Sequence, residues 1–142
     1  MTPFVYTAPA ARVVFGSGTR AALAAEIRTL ACRRALILST PAQRGDAAQL
    51  AADIGELAAG IFGAATMHTP VEVTGRAVAL ANELAADCVV AIGGGSSVGL
   101  AKAIALNTDL PQIVLPTTFA GSDVTSILGQ TEGHEKRTVR SP

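Results

Sequence analysis

The chain has 142 residues, 49% of them hydrophobic and only 15% charged. Eleven Lys and Arg balance eleven Asp and Glu, so the net charge is zero. No basic stripe points to nucleic acid and no basic helix to a membrane surface, and no apolar run approaches the roughly 20 residues of a membrane span. The length predicts one domain spanning residues 1–142. Charged residues usually make up roughly 25% of a domain. The low share here predicts a surface partly covered by a partner domain or subunit, and self-association where that cover is missing. The start, MTPFVYTAPA, lacks the charged segment and long apolar run of a secretory leader. Cys32 and Cys88 stand far apart and fit no metal spacing. Buried, reduced thiols in a cytoplasmic protein are expected.

In chain order, Phe4–Tyr6 and Arg12–Phe15 read as short strands, turned at Gly16-Ser17-Gly18. Leu23, Ile27 and Leu30 at helical spacing predict a helix over residues 19–31. Residues 34–39 (RALILS) form a buried strand that stops at Thr40-Pro41. Ala47, Leu50, Ala51, Ile54 and Leu57 mark the next helix, and residues 60–65 a weak strand. Thr69-Pro70-Val71-Glu72 predicts a helix start, with Thr69 as cap, Pro70 at the first position and Glu72 completing a capping box. That helix runs to about Ala86. The apolar run Cys88–Ile92 predicts a fully buried strand, followed by Gly93-Gly94-Gly95-Ser96-Ser97 and a helix to about Asn107. Residues 113–115 are a further short strand, ending in the polar loop Thr117–Ser122. Residues 126–131 and 137–140 predict a hairpin around Gly133. Strands alternating with helices of ten to fifteen residues predict an α/β fold. The expected architecture is a Rossmann-like parallel sheet with helices on both faces, plus a C-terminal β-hairpin.

Strand, glycine turn and helix start together make a phosphate cradle. Glycines lack a Cβ, so backbone N–H groups can approach an anion, and the helix N-terminus adds unpaired donors. Ser96 or Ser97 is expected to cap the helix and offer a hydroxyl. The strand before the cradle is the most apolar and should be central, where ligands bind beyond the C-terminal strand ends. Thr117 and Thr118 fall at the same edge, after the next strand. Gly16-x-Gly18-x-x-Ala21 also matches a dinucleotide fingerprint. The place for its ribose-binding carboxylate holds Ser39-Thr40-Pro41, so it reads better as a tight turn.

The segments GGGSSVGLAKAIAL (residues 93–106), LPTTFAGSDVT (115–125) and ILGQTEGHEKRTVR (127–140) resemble the iron-containing alcohol dehydrogenase superfamily. MHTPVEVT (67–74) and the spacing from PTTFAGSD to ILG resemble the maleylacetate reductases within it. The resemblance implies an NADH- or NADPH-dependent reduction of the carbon–carbon double bond of 2-maleylacetate to 3-oxoadipate, in degradation of aromatic compounds. It also implies that full-length members are homodimers. Gly93, Gly94, Gly95 and Ser96 match the pyrophosphate loop, and Thr117, Thr118 and Ser122 match cofactor contacts. Lys136 matches a lysine at the cofactor ribose, and Thr69 falls beside the cofactor. Thr40 falls where some relatives carry an aspartate for the adenosine ribose; without that charge both NADH and NADPH are expected. Family members are more than twice this long, with a helical second half carrying the metal ligands and most substrate contacts. The resemblance is therefore to the N-terminal cofactor-binding portion. Two alternatives are a truncated nucleotide-binding module and another iron-type alcohol dehydrogenase.

The remaining candidates have plainer readings. Lys102 is expected on the surface, Asp123 to brace the Ser122 loop, and Glu72 to cap. His68 and His134 are lone imidazoles without the three or four ligands a metal needs. No paired carboxylates and no Ser–His–Asp set stand out. That suits hydride transfer, where the cofactor carries the chemistry and the protein binds and orients.

Overall fold

A computed structural model describes residues 11–133 and 135–140. The elements are α1 (Leu23–Thr29), β1 (Ala35–Leu38), α2 (Arg44–Ile54), β2 (Ala58–Phe62), α3 (Val71–Glu83), β3 (Cys88–Gly93), α4 (Gly95–Thr108), β4 (Gln112–Pro116), β5 (Ile127–Glu132) and β6 (Glu135–Arg140). The first four strands form a parallel sheet in the order β2-β1-β3-β4, and β5 pairs with β6 in a separate antiparallel hairpin. The expected α/β architecture and hairpin are both present. The apolar strand β3 is internal, flanked by β1 and β4, and buried along its whole length.

Alternation along the strands divides the core in two. Ile37, Val90 and Ile92 face α1 and α2, meeting Leu23, Ile27, Leu50 and Ile54. Leu36, Leu38, Val89 and Ala91 face the opposite way, meeting Ala77 and Ala81 of α3 and Leu100, Ala101 and Ile104 of α4. Each fully buried Leu or Ile adds roughly 1.5–3 kcal/mol relative to exposure. Both faces of β1 and β3 are thus covered, as a parallel sheet requires. The parallel register aligns Leu38 with Ala91 and Gly93 with Pro116. The ends of β1, β3 and β4 therefore open at one edge of the sheet.

Three local expectations are corrected. Arg12–Phe15 forms no strand: it has no ladder partner among the described residues, and Arg12 instead pairs with Glu26 of α1 at 2.8 Å. The strand expected at Phe4–Tyr6 lies outside the described residues. The capping box at Thr69 does not form. His68 and Thr69 both take left-handed backbone (φ 64° and 43°), whereas an N-cap needs extended backbone. Pro70 occupies the N-cap instead, and its carbonyl accepts the Thr74 hydroxyl.

Along the open edge of β4 runs a groove of about 1410 Å³, bordered by Val13, Phe15, Leu106 and Ile113. Val13, Phe15 and Leu106 are exposed there, in keeping with the uncharged surface that the composition predicts. Among the described residues, no helix is long and apolar enough to cross a membrane.

Candidate functional site

The cradle is built at the end of β3. Gly93 closes the strand with φ 142°, Gly94 is the N-cap of α4, and Gly95 is its first residue. Ser97 N–H and Val98 N–H both turn back to the Gly94 carbonyl. The N–H groups of Gly95 and Ser96 come before any intrahelical acceptor is available and point out of the helix. Ser96 and Ser97 thus lie inside the first turn, and neither caps it. Among the described residues, the Ser97 hydroxyl is fully buried without a partner, and so is that of Ser39 at the end of β1.

Each glycine faces a polar side chain, and at Gly93 and Gly94 a Cβ would close the gap between them. A Cβ on Gly93 would lie 2.5 Å from Gln43 Oε1 and 2.6 Å from Ser97 Oγ. On Gly94 it would lie 2.7 Å from Thr118 Oγ1, and on Gly95 3.6 Å from Ser122 Oγ. The glycines keep backbone and hydroxyls close together. Thr117 joins through Gln43, whose Nε2 donates to Thr117 Oγ1 at 3.0 Å. Thr40 joins through the same side chain, its Oγ1 donating to Gln43 Oε1 at 3.2 Å. Folding therefore gathers Thr40, Gly93, Gly94, Gly95, Ser96, Thr117, Thr118 and Ser122 at one sheet edge. Beside them the loop from Pro116 to Gly121 borders a cleft of about 480 Å³, with Phe119 fully exposed on it.

Two expected site residues lie further off. Thr69 is buried against α4, where a Cβ on Gly99 would come within 2.6 Å of its Oγ1. Gly99 is one turn along from Gly95. Lys136 is exposed on β6, paired with Thr131 across the hairpin, and a Cβ on Gly129 would lie 3.5 Å from its Cε.

Sequence reasoning missed Gln43 and misjudged Lys102. Gln43 lies in a three-residue 3-10 turn after β1, and nothing in its local pattern marks it. Lys102 is not a free surface residue. It is half-buried and donates to the Ser122 carbonyl and, at 3.1 Å, to the Ile127 carbonyl. Desolvation lowers its pKa from the usual lysine range, against the pull of Asp123. It ties the cradle helix to the Ser122 loop and the hairpin. Asp123 braces that loop as expected, accepting from Ala120 N–H at 3.2 Å.

The first glycine turn is a tight turn. The carbonyl of Gly16 (φ 152°) accepts from the Thr19 hydroxyl at 3.0 Å, and Thr19–Ala22 then forms a four-residue 3-10 turn. His68 is exposed, and His134 lies outside the described residues.

The cysteines, distant in sequence, are brought together with Asp87, their ligand atoms all within 4.8 Å of one another. Asp87 already accepts Arg33 N–H and Arg34 N–H, each at 2.8 Å. Burial pushes both thiols up, further for Cys88 than for Cys32, and nearby Asp87 adds to the shift. Buried protonated thiols are inert. Iodoacetamide at pH 8 is therefore expected to leave both unmodified in the native chain and to alkylate both in denaturant. Rapid native alkylation, read by mass, would contradict this.

The sequence model of the iron-containing alcohol dehydrogenases matches residues 10–142. The chain belongs to the iron-containing alcohol dehydrogenase family. Among its relatives, the maleylacetate reductase of Rhizobium sp. (strain MTP-10005) is 63% identical over 142 residues, covering 100% of this chain and 40% of the relative. Maleylacetate reductase 1 of Cupriavidus pinatubonensis is 52% identical over 131 residues, covering 92% of this chain and 37% of the relative. The crystal structure of maleylacetate reductase from Agrobacterium tumefaciens superposes with a TM-score of 0.96 at 60% identity, covering 100% of this chain and 41% of that one. The chain thus spans about 40% of the length of the relatives it matches. The same family fold extends to a sulfoacetaldehyde reductase from Bifidobacterium kashiwanohense, with a TM-score of 0.88 at 21% identity.

Proposed function

We propose that residues 1–142 are the nicotinamide-dinucleotide-binding domain of a maleylacetate reductase. The substrate would be 2-maleylacetate and the product 3-oxoadipate. One observation carries the cradle assignment. Three successive glycines sit beneath Gln43, Thr118 and Ser122, beside the buried, unpartnered hydroxyl of Ser97. This arrangement fits a dinucleotide pyrophosphate: small backbone, converging hydroxyls, and outward N–H groups at a helix start. The likeness to maleylacetate reductases supplies the substrate class.

In this reading the N–H groups of Gly95 and Ser96 would hold phosphate oxygens, and the α4 dipole would favour their negative charge. Thr117, Thr118 and Ser122 orient the dinucleotide from the facing loop. Thr40 would face the adenosine ribose, and the likeness to the family would put Thr69 beside the cofactor and Lys136 near its second ribose. Bound NADH or NADPH supplies the hydride for the alkene. The residues that shape the substrate wall belong to the part of the relatives that this chain does not span. The full enzyme is proposed to be a cytoplasmic homodimer.

Calorimetry with NADH tests the reading. The chain is expected to bind NADH and to show negligible NADH consumption with maleylacetate. Absence of binding overturns the cofactor assignment. Brisk turnover overturns the division of labour between this domain and the remainder of the family's length.

A further inference from the structure

The end of the sheet opposite the cradle gathers three ligating side chains that the proposed function does not use. Cys32 lies in the turn between α1 and β1, Asp87 just before β3, and Cys88 at its first position. Their two sulfurs and a carboxylate oxygen all lie within 4.8 Å of one another. Spacing along the chain hides this, because Cys32 and Asp87 are 55 positions apart. Both cysteines are buried in the cluster that holds Ile27, Ala35 and Leu57, and Asp87 is half-buried at its rim.

Two sulfurs and one carboxylate suit a soft cation. Thiolates select thiophilic ions such as zinc, whereas magnesium and calcium take oxygen donors. Tetrahedral geometry at a zinc–sulfur distance of about 2.3 Å puts neighbouring sulfurs about 3.8 Å apart, so the trio needs to draw in by little more than about 1 Å. The carboxylate is already oriented. Its two oxygens accept Arg33 N–H and Arg34 N–H, each at 2.8 Å, the outer hydrogen bonding that fixes a metal ligand. Two thiolates, a carboxylate and a divalent ion carry one net negative charge, which the neighbouring Arg33 and Arg34 offset.

We propose that Cys32, Asp87 and Cys88 form a binding site for a soft divalent cation of the zinc and cadmium class, with water as fourth ligand. The ion would fasten the α1–β1 turn to the start of β3. Without it, burial keeps both thiols protonated. Binding forms two metal–sulfur bonds and one metal–oxygen bond, and the two thiol protons pass to solvent. Cys88 and Gly93 are the two ends of β3, about 16 Å apart. The inference is therefore independent of the nucleotide reading.

Titration of the reduced chain with cadmium chloride at pH 7 and pH 8, followed by the ultraviolet thiolate-to-cadmium charge-transfer band, tests it. One ion per chain is expected. Because both thiols start protonated, the apparent affinity should rise about a hundredfold between the two pH values. Cys32→Ala removes one of the two sulfurs and should weaken binding about a hundredfold or more. Cys88→Ala should do the same; should it not fold, Cys32→Ala decides alone. Saturating cadmium should also raise the thermal midpoint of the parent and leave that of Cys32→Ala unchanged. Absence of the band in the parent overturns the proposal. So does an affinity that is equal in Cys32→Ala, which would mark adventitious surface binding, or one that does not change with pH.

Discussion

A Gly94→Val chain is expected to keep its fold and to bind NADH at least about a hundredfold more weakly. Gly94 has φ −93° and ψ −158°, extended backbone that any residue adopts. Its replacement therefore costs space and little strain. That space is the cradle: the new Cβ would lie 2.7 Å from Thr118 Oγ1, and the branched methyls would stand over the N–H groups of Gly95 and Ser96. Thr118 is exposed and can swing away, so the protein survives while the anion is shut out. A hydrogen bond to a charged group contributes about 1.5–3 kcal/mol. Losing two removes about 3–6 kcal/mol, more than a hundredfold in affinity. Calorimetry with NADH, with far-UV circular dichroism as the folding control, reads the result. Parent-like affinity would remove residues 93–97 from the proposed site.

One residue earlier the same kind of change should strike stability. Gly93 has φ 142°, where a side chain is strained, at a cost of about 1–3 kcal/mol. A Cβ there would also meet Ser97 Oγ at 2.6 Å and Ser97 Cβ at 3.1 Å. Ser97 is wholly buried in the first turn of α4 and cannot retreat as Thr118 can. Overpacking of this kind costs about 1–3 kcal/mol more. Gly93→Ala is thus expected to lose about 2–6 kcal/mol, a large part of the about 5–15 kcal/mol that holds a typical domain. A urea midpoint lowered at unchanged slope would show it. A midpoint equal to the parent's would mean that Gln43 and Ser97 do not enclose Gly93. The contrast between the two glycines separates backbone conformation from ligand space within a single loop.

The Lys102 contact explains how the short 3-10 turn Gly121–Val124 is held with Ser122 beside Gly95. Its ammonium binds carbonyls on both sides of the Ser122–Ile127 stretch. Partial burial lowers its pKa, so the folded state carries a cost for the charged form. That cost is present in full below the folded pKa. It is relieved as pH rises through that value toward the ordinary lysine range.

Much of this was legible in the residues. The run from Cys88 to Ile92 is apolar throughout because β3 is covered on both faces, and that pattern alone places it inside the sheet. Glycines followed by serines mark a strand-to-helix turn whatever surrounds them, and Gly133 marks its hairpin. These are local rules, set by sterics and by which face must leave water. Other features came only from folding. The Thr69 cap failed because two successive left-handed residues, His68 and Thr69, turn its hydroxyl onto Gly99. Gln43 meets Thr117 across 74 positions of chain, and Cys32 meets Asp87 across 55. Such encounters depend on strand order and register. They follow from the simultaneous burial of both faces of the sheet, and no spacing rule along the chain contains them. By itself, then, the sequence determined the alternation of elements, the buried central strand and the glycine corner. The tertiary structure decided which side chains stand over that corner, because only parallel strands in register bring three separate strand ends to a single edge.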